Sequence, residues 1–130
     1  PISATVKGKR VVLIDDSIVR GTTARCIVKL LREAGATEVH MLSSAPAFLN
    51  PCYFGTDIDS RDNLIACNHT AEETAEIIGA DSLGYLSPES VVKIAEGCSR
   101  GFCAGCFTGK YPVPEPEARQ KYKFEQRIKP

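Results

Sequence analysis

The chain has 130 residues, 43% of them hydrophobic, and sixteen Lys and Arg balance sixteen Asp and Glu. A chain of this size buries on the order of two-thirds of its unfolded surface, enough for one domain with a real core. Zero net charge without a long basic run argues against a nucleic-acid surface. No apolar stretch approaches the roughly 20 residues that cross a bilayer, and no signal-peptide pattern is present, so the expectation is a soluble, cytoplasmic protein.

The sequence starts at Pro1, without an initiator methionine, only a few residues before its most informative stretch. That start reads as a fragment with the earlier part of its fold outside it. Val11 to Ile14 is a short, β-branched apolar run, predicted to be a strand buried on both faces as in a parallel sheet. Asp15 and Asp16 end the strand, and a polar turn follows that contains Gly21 and closes on Thr22 and Thr23. Apolar residues at Ile27, Val28, Leu30, Leu31 and Ala34 then predict a helix from about Thr22 to Ala34, ended by Gly35. Cys26 reads as a small half-buried residue of that helix.

In an open α/β sheet, ligands sit beyond the carboxyl ends of the strands, where a turn opening a helix offers unpaired N–H groups to an anion. Neither Gly-x-x-x-x-Gly-Lys-Ser/Thr nor Gly-x-Gly-x-x-Gly is present, which removes the Walker and dinucleotide readings. The acidic pair before the turn repels phosphate but accepts hydrogen bonds from sugar hydroxyls and suits Mg²⁺. One ligand fits both halves: a ribose diol carrying a phosphate, with a divalent metal.

Glu38 to Ala45 is predicted as the second strand, making a right-handed βαβ unit the economical topology. Residues 46–62 read as a loop containing Cys52. Thr70-Ala-Glu-Glu73 is a capping box for a helix over about Ala71 to Ile78, and Leu83 to Leu86 is a third short strand. Ser87 caps a further helix with Pro88 at its first position, ending near Glu96 and Gly97. His40 and His69 lack partners at a catalytic or metal-ligand spacing and read as scaffold. Three units are expected: 1–97, a partial nucleotide-precursor domain; 98–112, a cysteine-bearing segment; and 113–130, a polar tail that is either loose or a short charged helix.

Six cysteines in a chain without secretory features suit metal binding or reduced thiols better than a disulfide framework. Cys26 and Cys67 stand alone, Cys52 lies in a loop, and Cys98, Cys103 and Cys106 cluster. Cys103-x-x-Cys106 by itself leaves zinc, iron–sulfur and redox use open, as well as plain reduced thiols, and Cys98 is a possible local third ligand.

The run Val11-Val-Leu-Ile-Asp-Asp-Ser-Ile-Val-Arg-Gly-Thr-Thr23 resembles the phosphoribosyl pyrophosphate (PRPP) signature of the type I phosphoribosyltransferases. In this form it is similar to that of the glutamine-dependent amidophosphoribosyltransferase family. The stretches Asn50 to Gly55, Asp81 to Ser87 and Cys103 to Pro112 resemble the same family in the same order, so the match covers about nine-tenths of the chain. The resemblance implies a partial type I phosphoribosyltransferase fold, a Rossmann-like parallel sheet flanked by helices. It also implies a cysteine-bearing C-terminal segment, and the formation of phosphoribosylamine from PRPP and glutamine-derived ammonia, the first step of purine synthesis. It further implies a glutaminase domain, a pyrophosphate loop and a flexible active-site loop outside this sequence, and a homo-oligomer.

Carried onto these residues, the family pattern makes Asp15 and Asp16 the catalytic carboxylates, holding the ribose hydroxyls directly or through Mg²⁺. Ser17, Val19, Arg20, Gly21, Thr22 and Thr23 complete the PRPP site. Val19 stands where relatives acting on purine bases carry an acid, and an apolar residue there suits ammonia, which arrives with its lone pair free. For the cluster-bearing branch, the family implies a [4Fe-4S] centre with Cys52, Cys103 and Cys106 as three ligands and a fourth upstream of Pro1. A non-catalytic PRPP-sensing regulator is the alternative, although no helix-turn-helix pattern is present. A zinc-stabilised interaction module would leave Asp15 and Asp16 without a purpose.

Overall fold

A computed structural model describes residues 3–115 except Asp57, Asp59, Ala95 and Arg100. The elements run α1 (Ser3–Val6), β1 (Arg10–Asp15), α2 (Thr22–Glu33), β2 (Glu38–Ser43), α3 (Ile65–Asn68), α4 (Ala71–Ile78), β3 (Ser82–Tyr85), α5 (Pro88–Ile94) and α6 (Gly105–Thr108). The strands form one parallel sheet in the order β1-β2-β3, with Asp15 level with Ser43 and Ser43 level with Tyr85. This is the expected α/β architecture. The second strand stops two residues short of the predicted Ala45, and the third lies one residue earlier than predicted.

Each helix follows from its local chemistry. In α2 the buried residues Ala24, Val28 and Leu31 recur at three- and four-residue spacing and so share one face. Gly35, at φ +96°, takes the left-handed conformation that ends the segment. The capping box of α4 closes as expected, with Thr70 Oγ1 accepting from Glu73 N–H at 3.2 Å and Glu73 accepting from Thr70 N–H at 2.8 Å. Ser87 Oγ likewise accepts from Ser90 N–H at the start of α5. The last described residue of that helix is Ile94.

The main core lies between one face of the sheet and helices α2 and α4, where Val28, Val39, Met41 and Ile78 are sealed from solvent. Side chains of this size stabilise by roughly 1.5–3 kcal/mol each on full burial. The opposite face corrects the two-sided reading of the first strand, since Val12 is 60% and Ile14 69% exposed. Strand residues alternate between faces, and the helices among the described residues cover only the face carrying Val11 and Leu13.

Where that open face meets the strand starts, a polar chain crosses the sheet. Arg10 Nε donates to Glu38, His40 Nε2 lies 2.9 Å from the same carboxylate, and His40 Nδ1 lies 2.8 Å from Ser82 Oγ. His40 therefore has one partner, Ser82, that only the sheet register supplies. His69 Nδ1 lies 3.9 Å from Glu73 Oε2, one helical turn away. Cys26, expected to be half-buried, is exposed.

A second, smaller core forms from Phe48, Ile58 and Leu64, with Val19, Cys52, Cys67, Cys106 and Phe107 packed against it. Within the expected loop, Cys52 pairs with Ile58 in an antiparallel bridge, and a 3₁₀ turn occupies Arg61–Asn63. Cys106 O accepts from both Leu49 N–H and Asn50 N–H, and Tyr111 OH donates to Pro51 O at 2.6 Å, so the cysteine-bearing segment docks on this loop. Of the polar tail, residues 116–130 lie outside the described residues.

Candidate functional site

The cleft at the carboxyl end of β1 has a volume of about 450 Å³ and is lined by residues 15–24 with Ile27, and by Thr56 and Ile58 from the loop of the second core. Every residue assigned to the PRPP site from sequence lines this one cleft: Asp15, Asp16, Ser17, Val19, Arg20, Gly21, Thr22 and Thr23. Gly21 is the N-cap of α2, at φ +76°, and no side chain caps the helix. The first N–H groups of a helix have no intrahelical acceptor, and here no Ser, Thr or Asp cap competes for them. They carry the positive end of the helix dipole into the cleft.

The turn is held from beneath. Ile65 N–H donates to Val19 O at 3.0 Å. A Cβ on Gly21 would lie 2.8 Å from Ile65 Cδ1, the far end of a side chain that can turn aside, so it is the backbone angle that requires glycine here. The acidic pair is supported from just past the end of β2, where Ser44 N–H donates to Asp15 O at 2.9 Å and Ser44 Oγ reaches Asp15 O and Asp16 O at 3.0 and 3.3 Å. Asp15 is half-buried with one carboxylate oxygen accepting from Asp16 N–H, and Asp16 is exposed, accepting from Ser17 Oγ. The pair thus stands at the mouth of the sheet beside the turn that opens α2. Sequence reasoning missed Ser44, Thr56, Ile58 and Ile65, because only the parallel register and the folding back of the loop bring them here.

The second set of residues is less complete. Cys52 and Cys106 pack on the second core, whereas Cys98 and Cys103 are exposed. Burial pushes the Cys106 thiol up, and thiolate charge at Cys52 and Cys103 adds to the effect. At Cys52, burial raises the thiol's pKa, but the N–H groups of Thr56, Phe54 and Gly55 outweigh it and the net shift is downward. Cys67, which stands alone in sequence, joins the same core and donates from Sγ to Leu49 O at 3.2 Å. Among the described residues no three His, Cys, Asp or Glu side chains gather closely enough to hold a metal ion. The thiol donors suit iron, but the expected trio is not drawn together as a ligand set.

An open parallel sheet, an uncapped helix start and an acidic pair at the strand end define the type I phosphoribosyltransferase class of fold, represented here by part of the domain. No family model matches the chain. It is 52% identical over 117 residues to the amidophosphoribosyltransferase of Archaeoglobus fulgidus, covering 88% of this chain and 26% of that protein. To the amidophosphoribosyltransferase of Bacillus subtilis it is 51% identical over 119 residues, covering 86% and 24%. A solved structure of the Bacillus subtilis glutamine PRPP amidotransferase, complexed with ADP and GMP, matches with a TM-score of 0.79 at 49% identity, over 92% of this chain and 27% of that one. In sequence and fold the chain is similar to amidophosphoribosyltransferases, matching a C-terminal portion of those proteins. It spans about a quarter of the length of the relatives it matches.

Proposed function

We propose that this chain supplies the PRPP-binding half of a glutamine-dependent amidophosphoribosyltransferase. The reaction converts PRPP, glutamine and water to phosphoribosylamine, glutamate and pyrophosphate, the opening step of purine synthesis. The observation that carries this reading is the cleft in which the uncapped start of α2 faces Asp15 and Asp16. The names of the relatives favour a transferase over a PRPP-sensing regulator. A cytoplasmic setting and a homo-oligomer belong to the same proposal; among the described residues no helix is long and apolar enough to cross a membrane.

In this reading the N–H groups from Val19 to Thr23, with the hydroxyls of Thr22 and Thr23, bind the 5-phosphate, and Arg20 adds positive charge. Asp15 and Asp16 accept from the ribose hydroxyls or hold them through Mg²⁺, fixing the ring while the bond from the anomeric carbon to pyrophosphate breaks. Their negative charge favours the cationic ring of the transition state. Magnesium, when bound, offsets the charge of the departing pyrophosphate. Ammonia, delivered from a glutaminase domain, needs no base at Val19.

We assign the division into 1–97, 98–112 and 113–130 on the same grounds, with Cys52, Cys103 and Cys106 as proposed [4Fe-4S] ligands. No step of the transfer runs through such a cluster, because moving ammonia onto a sugar involves no electron transfer; its role is structural or oxygen-sensing. The test is titration of PRPP with Mg²⁺ into the natural full-length form, followed by glutamine-dependent pyrophosphate release. Saturable binding with turnover is expected. Binding without turnover would instead favour a sensor, and absence of binding would remove the reading altogether.

A further inference from the structure

Two parts of the chain that are distant in sequence, the Cys52 loop and the Cys103 to Cys106 segment, are tied together by one side chain. Helix α6 ends at Gly109, whose φ of +74° turns the backbone back, while Gly109 N–H donates to Gly105 O at 2.7 Å. The reversal lays the ring of Tyr111 on Gly105, which stands between Cys103 and Cys106. A Cβ at Gly105 would collide with ring carbons Cδ1 and Cε1 and lie 2.9 Å from Cγ, so a side chain there and the ring cannot share this space. From that seat Tyr111 OH donates to Pro51 O at 2.6 Å, and its ring centroid lies 5.1 Å from that of Tyr53.

Pro51 O belongs to the same peptide unit as Cys52 N–H, which donates to Ile58 O at 2.9 Å. A peptide unit is planar, so these two bonds fix it at both ends, immediately before Cys52. Cys106 O accepts from Leu49 N–H and Asn50 N–H at 3.0 Å each, which docks the segment on the loop independently. Without the Tyr111 hydroxyl that docking remains, but the unit joining Pro51 to Cys52 is held at one end only.

We propose that Tyr111 is a positioning residue for the metal site: its ring on Gly105 and its hydroxyl on Pro51 hold Cys52 in register with Cys103 and Cys106, and its loss shortens the life of the bound cluster. This rests on reading those three cysteines as ligands of an iron–sulfur cluster. Tyr111 is not itself a ligand; it acts through the backbone that carries the ligands.

The experiment uses the natural full-length form, purified without oxygen and with its metal in place. Iron is measured as isolated, and then the loss of the cluster's visible absorbance in air, at a temperature where circular dichroism shows every variant folded. Tyr111→Phe keeps the ring and removes the bond to Pro51. Tyr53→Phe removes a hydroxyl from the same group of rings, one that donates to Glu115 at 3.3 Å instead. One neutral hydrogen bond changes an equilibrium by a factor of several to about ten, so Tyr111→Phe should bleach about fivefold faster and Tyr53→Phe at the unsubstituted rate. Absence of iron from Tyr111→Phe alone is the stronger form of the same result. Gly105→Ala, which displaces the ring, should bleach at least as fast as Tyr111→Phe, and the double variant no faster than Gly105→Ala, because both changes break one contact. Bleaching of Tyr111→Phe at the unsubstituted rate, equal acceleration in Tyr53→Phe, or a double variant in which the two effects multiply overturns the proposal. If Gly105→Ala does not fold, the comparison of Tyr111→Phe with Tyr53→Phe decides. An unsubstituted protein isolated without iron defeats the cluster reading itself, and this inference with it.

Discussion

Ile65 holds Gly21 in a double grip: its N–H binds the carbonyl of Val19 at 3.0 Å, and its Cδ1 occupies the space that a Cβ on Gly21 would need. The turn at Gly21 is therefore shaped by a helix more than forty residues further along the chain. Gly21→Ala should cost about 1–2 kcal/mol from the left-handed backbone alone, since an L-residue with a Cβ resists φ near +76°. The clash with Ile65 comes on top, and it is small because Ile65 Cδ1 can turn aside. Thermal melts of Gly21→Ala, Ile65→Ala and the double variant separate the two effects, because Ile65→Ala should relieve the steric part and leave the backbone part. Strict additivity would show that the two side chains do not compete for this space.

The acidic pair gives a prediction about chemistry. Asp15 and Asp16 are held by backbone bonds to Ser44, so exchanging carboxylate for amide should leave the strand end in place. Asp15→Asn with Asp16→Asn should reduce phosphoribosyl transfer by at least about a hundredfold if they orient the ribose or its metal in the transition state. Steady-state rates at saturating PRPP, with circular dichroism as the control for folding, measure this. Near-normal turnover would remove both residues from the mechanism.

Features set by local chemistry were legible in sequence. The Thr70 to Glu73 box placed α4 at its observed bounds, and the acidic pair with its turn located the cleft. What required the fold was burial and partnership at long range. Val12 and Ile14 read as core because they are β-branched in a short run, yet exposure depends on which layers cover the sheet, and periodicity does not carry that. Val19 read as a signal about the nucleophile, but it also packs on Phe48, Ile58 and Leu64, which gives its apolar character a structural cause as well. Cys67 read as solitary because its neighbours, Leu49 and the second core, are distant in sequence.

Asp81, with Glu38 and Glu89, is among the carboxyls held below their ordinary values that contribute to the response to acid. Its Oδ2 accepts from Val39 N–H at 2.6 Å and from Arg32 at 2.7 Å, clipping the end of α2 to the sheet. The Val39 N–H foremost, then the Arg32 guanidinium, hold this carboxyl below its ordinary value of 3.8. A carboxyl whose pKa falls on folding stabilises the native state above its unfolded value and loses that contribution as pH drops through the folded one. Stability should therefore be flat with respect to this group at neutral pH and decline below about 3.8. Asp81→Asn should lower the melting temperature at pH 7 and flatten the decline at acid pH. An unchanged acid limb in that variant would assign the decline to other carboxylates.

The thiols give the last test, and it turns on metal rather than on substrate. Cys52 and Cys106 share a core, and charge at Cys52 and Cys103 opposes ionisation of Cys106, a mutual repulsion that a bound cation would relieve. Anaerobic purification of the natural full-length form should give a brown protein with about four irons per chain, as expected for one cluster held by cysteine thiolates. Exposure to air should bleach it. Cys106→Ser should lose iron, while Cys67→Ser should retain it, because Cys67 donates its hydrogen bond to a backbone carbonyl of the loop and is not among the proposed ligands. Stoichiometric zinc in place of iron would replace the cluster by a structural metal, and iron loss in Cys67→Ser would move the fourth ligand from outside this sequence to within it.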